Sequence, residues 1–249
     1  MKKLKSSNPI FKFIKVIIRF FYQKNKIIGL DTLPQDEPVI YVANHTQMNG
    51  PLVAEFYIPN RYTWCNAEMM KVRSVPAYAY KDFWSQKPKW TRPFYKILSY
   101  IIAIPAAFIL SNANTIPVYH NTRIITTFRL TIDTLSDGMS VVIFPECPNK
   151  NNNIVYEFQK NFVDVARLYY KKTGKEVLFV PIYIAPKLKE SYVGKPIRYS
   201  SENTPSEERI RITEHLSNEI TEVARSLPLH TVIPYRNIPK KDYPKNKEF

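Results

Sequence analysis

The 249-residue sequence holds only two cysteines, four histidines and five glycines. Two thiols, Cys65 and Cys147, cannot build a disulfide framework, and they suit a reducing compartment. The histidines at 45, 120, 215 and 230 show no metal-ligand spacing, and no Gly-rich cradle for a nucleotide phosphate is present. No Gly/Ser-rich linker or internal repeat divides the chain, which argues for one domain with two atypical ends. Zinc fingers and other short nucleic-acid motifs are missing, so nucleic acid is a poor candidate partner. Acidic residues are absent from the first 30 positions. That basic start is interrupted by charges and followed by no small-residue cleavage site, so a cleaved signal peptide is not expected.

Positive charge and aromatic mass dominate what remains. Lys and Arg number 36 against 21 Asp and Glu, a formal +15 that calls for an anionic partner. Apolar residues make up 45% and aromatics 14%, enough for a sizeable core. Residues 1–25 interleave Lys2, Lys3, Lys5, Lys12, Lys15, Arg19 and Lys24 with Ile10, Phe11, Phe13, Ile14, Ile17, Phe20 and Phe21. This pattern predicts a basic amphipathic segment lying in a membrane interface, not a nucleic-acid arm. A second apolar stretch at 94–110 contains Lys96 and Pro105 and runs about 17 residues, at or below spanning length. Set in an aromatic and basic region at 78–110, it predicts a re-entrant or interfacial element in preference to a transmembrane helix.

Apolar, β-branched runs at 38–44, 140–144 and 177–184 predict strands, with further ones at 63–67 and 115–119. Pro181 marks the third as an edge strand or a bulge. Helical spacing of Ile125, Phe128, Ile132 and Leu135 predicts one helix, and that of Val155, Phe158, Phe162, Val165 and Tyr169 another. Thr204-Pro205-Ser206-Glu207 has the form of a capping box and opens a last helix carrying Leu216, Ile220, Val223 and Leu227. The Asn-rich run after Lys150 reads as a loop. Residues 229–249 read as a polar, basic C-terminal tail, mobile from about 236. Alternating strands and helices define an α/β fold with a central sheet.

Ligands of open α/β sheets bind beyond the carboxyl ends of strands. Those positions here hold His45, then His120 with Arg123, then Glu146. An imidazole can take a proton from a hydroxyl, and a guanidinium fork suits phosphate. Cys147 offers a thiol that His45 could activate, a lesser reading.

Four blocks in order carry a family resemblance: Asn44-His45-Thr46-Gln47-Met48-Asn49-Gly50-Pro51, Ile116-Pro117-Val118-Tyr119-His120, Phe144-Pro145-Glu146-Cys147-Pro148-Asn149 and Val180-Pro181-Ile182. Together they resemble the glycerolipid acyltransferases, which are similar to 1-acyl-glycerol-3-phosphate acyltransferases. The resemblance covers about 26–228 and implies an acyltransferase-like central mixed sheet flanked by helices, with 78–110 as an enlarged membrane-facing element. It implies acyl transfer from acyl-CoA or acyl-carrier protein to a lysophospholipid or glycerol phosphate, with no bound cofactor or metal. The protein would work as a peripheral membrane protein on the cytoplasmic face. His45 and Glu146 would be catalytic, and Asn44, Thr46, His120, Arg123 and Lys150 would bind substrate.

The chain departs from the family most seriously at Gly50, which stands where an aspartate should orient the histidine. Asn49 and Glu55 are the candidates to compensate, with Glu68 a further carboxylate nearby. His120 replaces an arginine, and Cys147-Pro148-Asn149 replaces Gly-Thr-Arg, which weakens bidentate phosphate recognition. A catalytically inactive, lipid-binding relative of the family is therefore the alternative reading.

Overall fold

The computed structural model describes residues 8–84 and 87–248; Lys2, Lys3 and Lys5 of the basic N-terminal stretch lie outside them. In chain order the elements are α1 (Pro9–Phe21), β1 (Lys26–Ile28), β2 (Val39–Ala43), α2 (Asn49–Tyr57), β3 (Arg61–Asn66), α3 (Val75–Ala79), α4 (Arg92–Asn112), β4 (Thr115–Val118) and α5 (Ile124–Ser136). There follow β5 (Ser140–Ile143), β6 (Glu146–Asn151), β7 (Tyr156–Phe158), α6 (Asp164–Thr173), β8 (Leu178–Ala185), β9 (Glu190–Val193), β10 (Ile197–Arg198) and α7 (Pro205–Ser226). The chain divides into two compact units, one of residues 1–22 and 64–127, the other of 23–63 and 128–249.

The second unit is built on a mixed sheet in the order β1-β9-β8-β2-β5-β3. β2 lies parallel to both β5 and β8, whereas β9 and β10 run antiparallel to β8. β2 and β8 are buried along their whole length, which is why both read as unbroken apolar runs without alternation. Pro181 therefore sits inside the sheet and not at its edge. It is tolerated because β10 pairs at 178–179 and β9 at 182–185, leaving a gap at 181 where no N–H is needed. There the Pro181 carbonyl accepts from the Gly194 N–H at 2.9 Å.

The segment after Phe144 departs from the periodicity. Residues 146–151 and 156–158 form an antiparallel hairpin, and the helix begins only at Asp164. Side chains account for this. Asn152 Oδ1 accepts from the Ile154 and Val155 N–H groups, and Glu146 Oε2 accepts from Tyr156 N–H, so these donors are spent outside a helix. α7 opens as its sequence predicts, with Thr204 and Glu207 capping each other's backbone.

Residues 229–248 fold back as a strap instead of trailing as a mobile tail. His230, Val232 and Asn246 are buried. Asn246 donates to the Ala224 carbonyl at 2.7 Å and accepts from the His230 N–H at 2.9 Å. Val232 N–H bonds to the Pro244 carbonyl at 2.9 Å.

In the first unit, α3 packs on α4 through Val75, Ala79, Ala103 and Ala107, and α1 lies against α4. Asn8 caps α1, accepting from Ile10 N–H at 2.9 Å, with Pro9 at the first helical position. α4 runs through Pro105 without interruption. The stretch Lys89–Asn112 is long and apolar enough to cross a membrane by length and composition. Its Phe94, Ile97, Ile101 and Ile104 form an exposed stripe, and α1 adds exposed Ile10, Phe13, Ile17 and Phe20. Both spacings follow one helical face.

Candidate active site

The site forms where two neighbouring parallel strands end. Val42 of β2 is registered with Ile143 of β5, and three residues beyond each stand His45 and Glu146. Parallel register thus unites residues 101 positions apart. The contact is not ring to carboxylate, however. Glu146 Oε1 accepts from the His45 backbone N–H at 2.6 Å, and its Oε2 accepts from Tyr156 N–H at 2.8 Å. The carboxyl group clamps the β2 end to the β6–β7 hairpin. Burial pushes it up to about 7, against the pull of those two donors.

His45 enters a strained turn. Thr46 and Gln47 adopt left-handed backbone, with φ of 43° and 56°, which is costly for a β-branched threonine. Asn49 N–H returns to the Thr46 carbonyl at 3.1 Å and Gly50 N–H to the His45 carbonyl at 3.2 Å. This curl brings Gly50 so close that a Cβ there would lie 2.3 Å from the His45 carbonyl oxygen and 2.9 Å from the Phe144 ring. The family aspartate has no room in this turn.

The imidazole is held by packing instead. Phe144 and Tyr235 each meet it edge-on, with ring centroids 5.2 Å away, and Tyr235 also contacts Tyr156 at 6.1 Å. His45 Nδ1 and Thr46 Oγ1 are buried and have no hydrogen-bond partner among the described residues. Burial pushes the imidazole down to about 4, so near neutral pH it is uncharged.

The compensating candidates are committed elsewhere. Glu55 pairs with buried Arg61 at 2.5 Å, because that guanidinium also bonds the Ala54 carbonyl and needs a counter-ion. Asn49 Nδ2 donates to the Thr46 carbonyl at 3.1 Å. Asn44, expected at the substrate, spends its amide on β8, donating to the Ile184 carbonyl at 3.1 Å and accepting from its N–H at 2.7 Å. Lys150 is exposed on β6. His120 and Arg123 belong to the first unit with exposed Glu68; both are exposed, Arg123 over the Tyr119 ring at 4.1 Å. Cys147 Sγ donates to the Glu157 carbonyl at 3.1 Å, and burial raises its thiol above the ordinary range. Among the described residues no group of three or more His, Cys, Asp or Glu could hold a metal ion.

Phe144 was within reach of sequence reasoning, since it opens the Phe-Pro-Glu block. Tyr235 carried no such signal.

A buried mixed sheet presenting an Asn-His turn and a Phe-Pro-Glu turn on adjacent strand ends defines an acyltransferase-like α/β protein. The sequence profile of the acyltransferase family matches residues 24–185, more than half of the chain, and the chain belongs to that family. Among solved structures, the 1-acyl-sn-glycerophosphate (LPA) acyltransferase PlsC from Thermotoga maritima is similar at 19% identity and a TM-score of 0.45, over 86% of this chain and 78% of that one. No curated protein matches the sequence.

Proposed function

We propose that this protein transfers an acyl group from a thioester donor, acyl-CoA or acyl-carrier protein, to a hydroxyl of a lysophospholipid or glycerol-phosphate-type acceptor. The observation that carries this reading is a neutral imidazole at the strand-end turn of an acyltransferase-family chain. With Nδ1 buried, Nε2 is the nitrogen left to meet a substrate. It takes the acceptor's hydroxyl proton while the oxygen attacks the thioester carbonyl. The C–O bond forms, the C–S bond breaks, and the departing thiolate recovers the proton from the imidazolium. Lacking a carboxylate, His45 has only the backbone around Gln47 and its own to offset its developing charge, and burial outweighs them. Loss of an orienting carboxylate lowers turnover about 10⁴-fold in serine proteases, so slow transfer is expected.

Lys150, in the same unit as His45, supplies the acceptor-phosphate contact in this proposal. The exposed apolar stripes of α1 and α4, flanked by lysines, would hold the protein at the cytoplasmic face of a phospholipid membrane as a peripheral protein. Purified protein is to be assayed with labelled acyl thioesters against a panel of lysophospholipids. Transfer abolished by His45→Ala supports the reading, and no transfer with any pair sinks it. The crowding at Gly50 favours a second reading, a lipid-binding protein without chemistry; saturable lysophosphatidate binding with no turnover would establish that instead.

A further inference from the structure

The strap at 229–248 lies wholly outside the stretch matched by the family profile, yet it supplies a wall of the site. Its anchors are specific. His230 Nδ1 is 2.7 Å from the Pro228 carbonyl and must donate to it, so Nε2 is the acceptor for the Tyr183 hydroxyl at 2.7 Å. Asn246 is fully buried and bonded on both its oxygen and its nitrogen. Between these anchors two tyrosines reach the strained turn. Tyr243 Oη accepts from Gln47 Nε2 at 2.9 Å, and Tyr235 packs on the His45 ring, whose Nδ1 has no hydrogen-bond partner among the described residues.

An imidazole whose Nδ1 is left without a hydrogen-bond partner among the described residues is held less firmly about its side-chain torsions unless its ring is confined. Phe144, on β5's end, confines it from one direction. Among the described residues Tyr235 is the other aromatic contact. We propose that Tyr235 is the positioning residue of His45, doing by ring packing what the family assigns to the aspartate missing at position 50. Packing of this kind fixes orientation and excludes water, but it supplies no charge. The strap is accordingly part of the working site and not an appendage.

The catalytic half of this inference rests on the acyl-transfer reading; the structural half does not, and the experiment separates them. His45 is titrated by NMR in the wild type, Tyr235→Ala and Tyr235→Phe, and kcat and KM are measured alongside, with thermal unfolding as the check on folding. In the wild type His45 is expected to titrate at about 4. Removing the ring admits water, so in Tyr235→Ala the value climbs toward 6.5. The same variant loses kcat on the order of 10- to 100-fold with KM little changed, the mark of a misplaced group. Tyr235→Phe restores both. Should the alanine variant fold poorly, Tyr235→Leu removes the ring while keeping apolar volume. A His45 that titrates as in the wild type after loss of the ring overturns the proposal, as does an unchanged kcat in an active enzyme. Where the wild type transfers no acyl group, the acyl-transfer reading falls and the titration alone decides the role of Tyr235.

Discussion

Restoring the aspartate that the family carries should damage this protein instead of improving it. In Gly50→Asp the new Cβ would sit 2.3 Å from the His45 carbonyl oxygen and 2.9 Å from the Phe144 ring. The nearer neighbour is backbone, already bonded to Gly50 N–H at 3.2 Å, so relief requires the 45–50 turn to open. Overpacking of this kind costs about 1–3 kcal/mol and more when backbone must shift; we expect about 3 kcal/mol. For a chain of this size that lowers the melting temperature by about 6–12 °C. Gly50→Ala carries the same Cβ without the charge and should lose a similar amount. Thermal and denaturant unfolding of both variants measure the loss, and single-turnover acyl transfer measures any gain. An aspartate variant as stable as the wild type that transfers faster would refute the steric account.

Glu146→Gln keeps the shape of the clamp but offers one oxygen to two backbone donors, leaving His45 N–H or Tyr156 N–H unpaired at a cost of about 1–3 kcal/mol in urea unfolding. The two buried titrations oppose each other. Because the folded state lowers His45 from 6.5 to about 4, unfolded chains bind more protons there, and stability falls as pH drops through that window. The folded state raises Glu146 from 4.5 to about 7, so its contribution falls as pH rises through that window. Stability of His45→Gln should therefore decline more steeply between pH 5 and 7 than that of the wild type, as denaturant midpoints across that range will report. Asn246→Ala strands the buried His230 N–H and removes the side-chain donor to the Ala224 carbonyl, and should expose 229–248 to protease and to hydrogen exchange before the rest of the chain. Phe13→Glu with Phe20→Glu alters only exposed positions; vesicle co-sedimentation should drop while stability changes by less than about 0.5 kcal/mol.

The parts of this fold legible in sequence are those fixed by local pattern. β2, β5, β8 and α7 announce themselves through buried runs, β-branching and a capping box. Pairing of His45 with Glu146 followed from adjacent strand ends, although which atoms meet did not, since a side chain bonding backbone leaves no mark in residue spacing. Gly50 was visible as a departure, but the reason that it must be small depends on how the chain curls after Thr46. The strap looks like a mobile tail in sequence because its composition is polar and proline-containing. Three buried residues, His230, Val232 and Asn246, hold it, and their partners lie in β8, at the end of α7 and within the strap itself. Sequence spacing hides such contacts for the same reason that it concealed Tyr235.

In the proposed reaction a neutral His45 without a carboxylate partner is the base for acyl transfer. The most direct test is the pH dependence of kcat/KM for acyl transfer in the wild type and in His45→Ala. The expected rate is slow and level through neutrality, falls in acid with an apparent pKa of about 4, and vanishes without the imidazole. A rate that persists in His45→Ala, or one that falls with a pKa near 6.5, would contradict it.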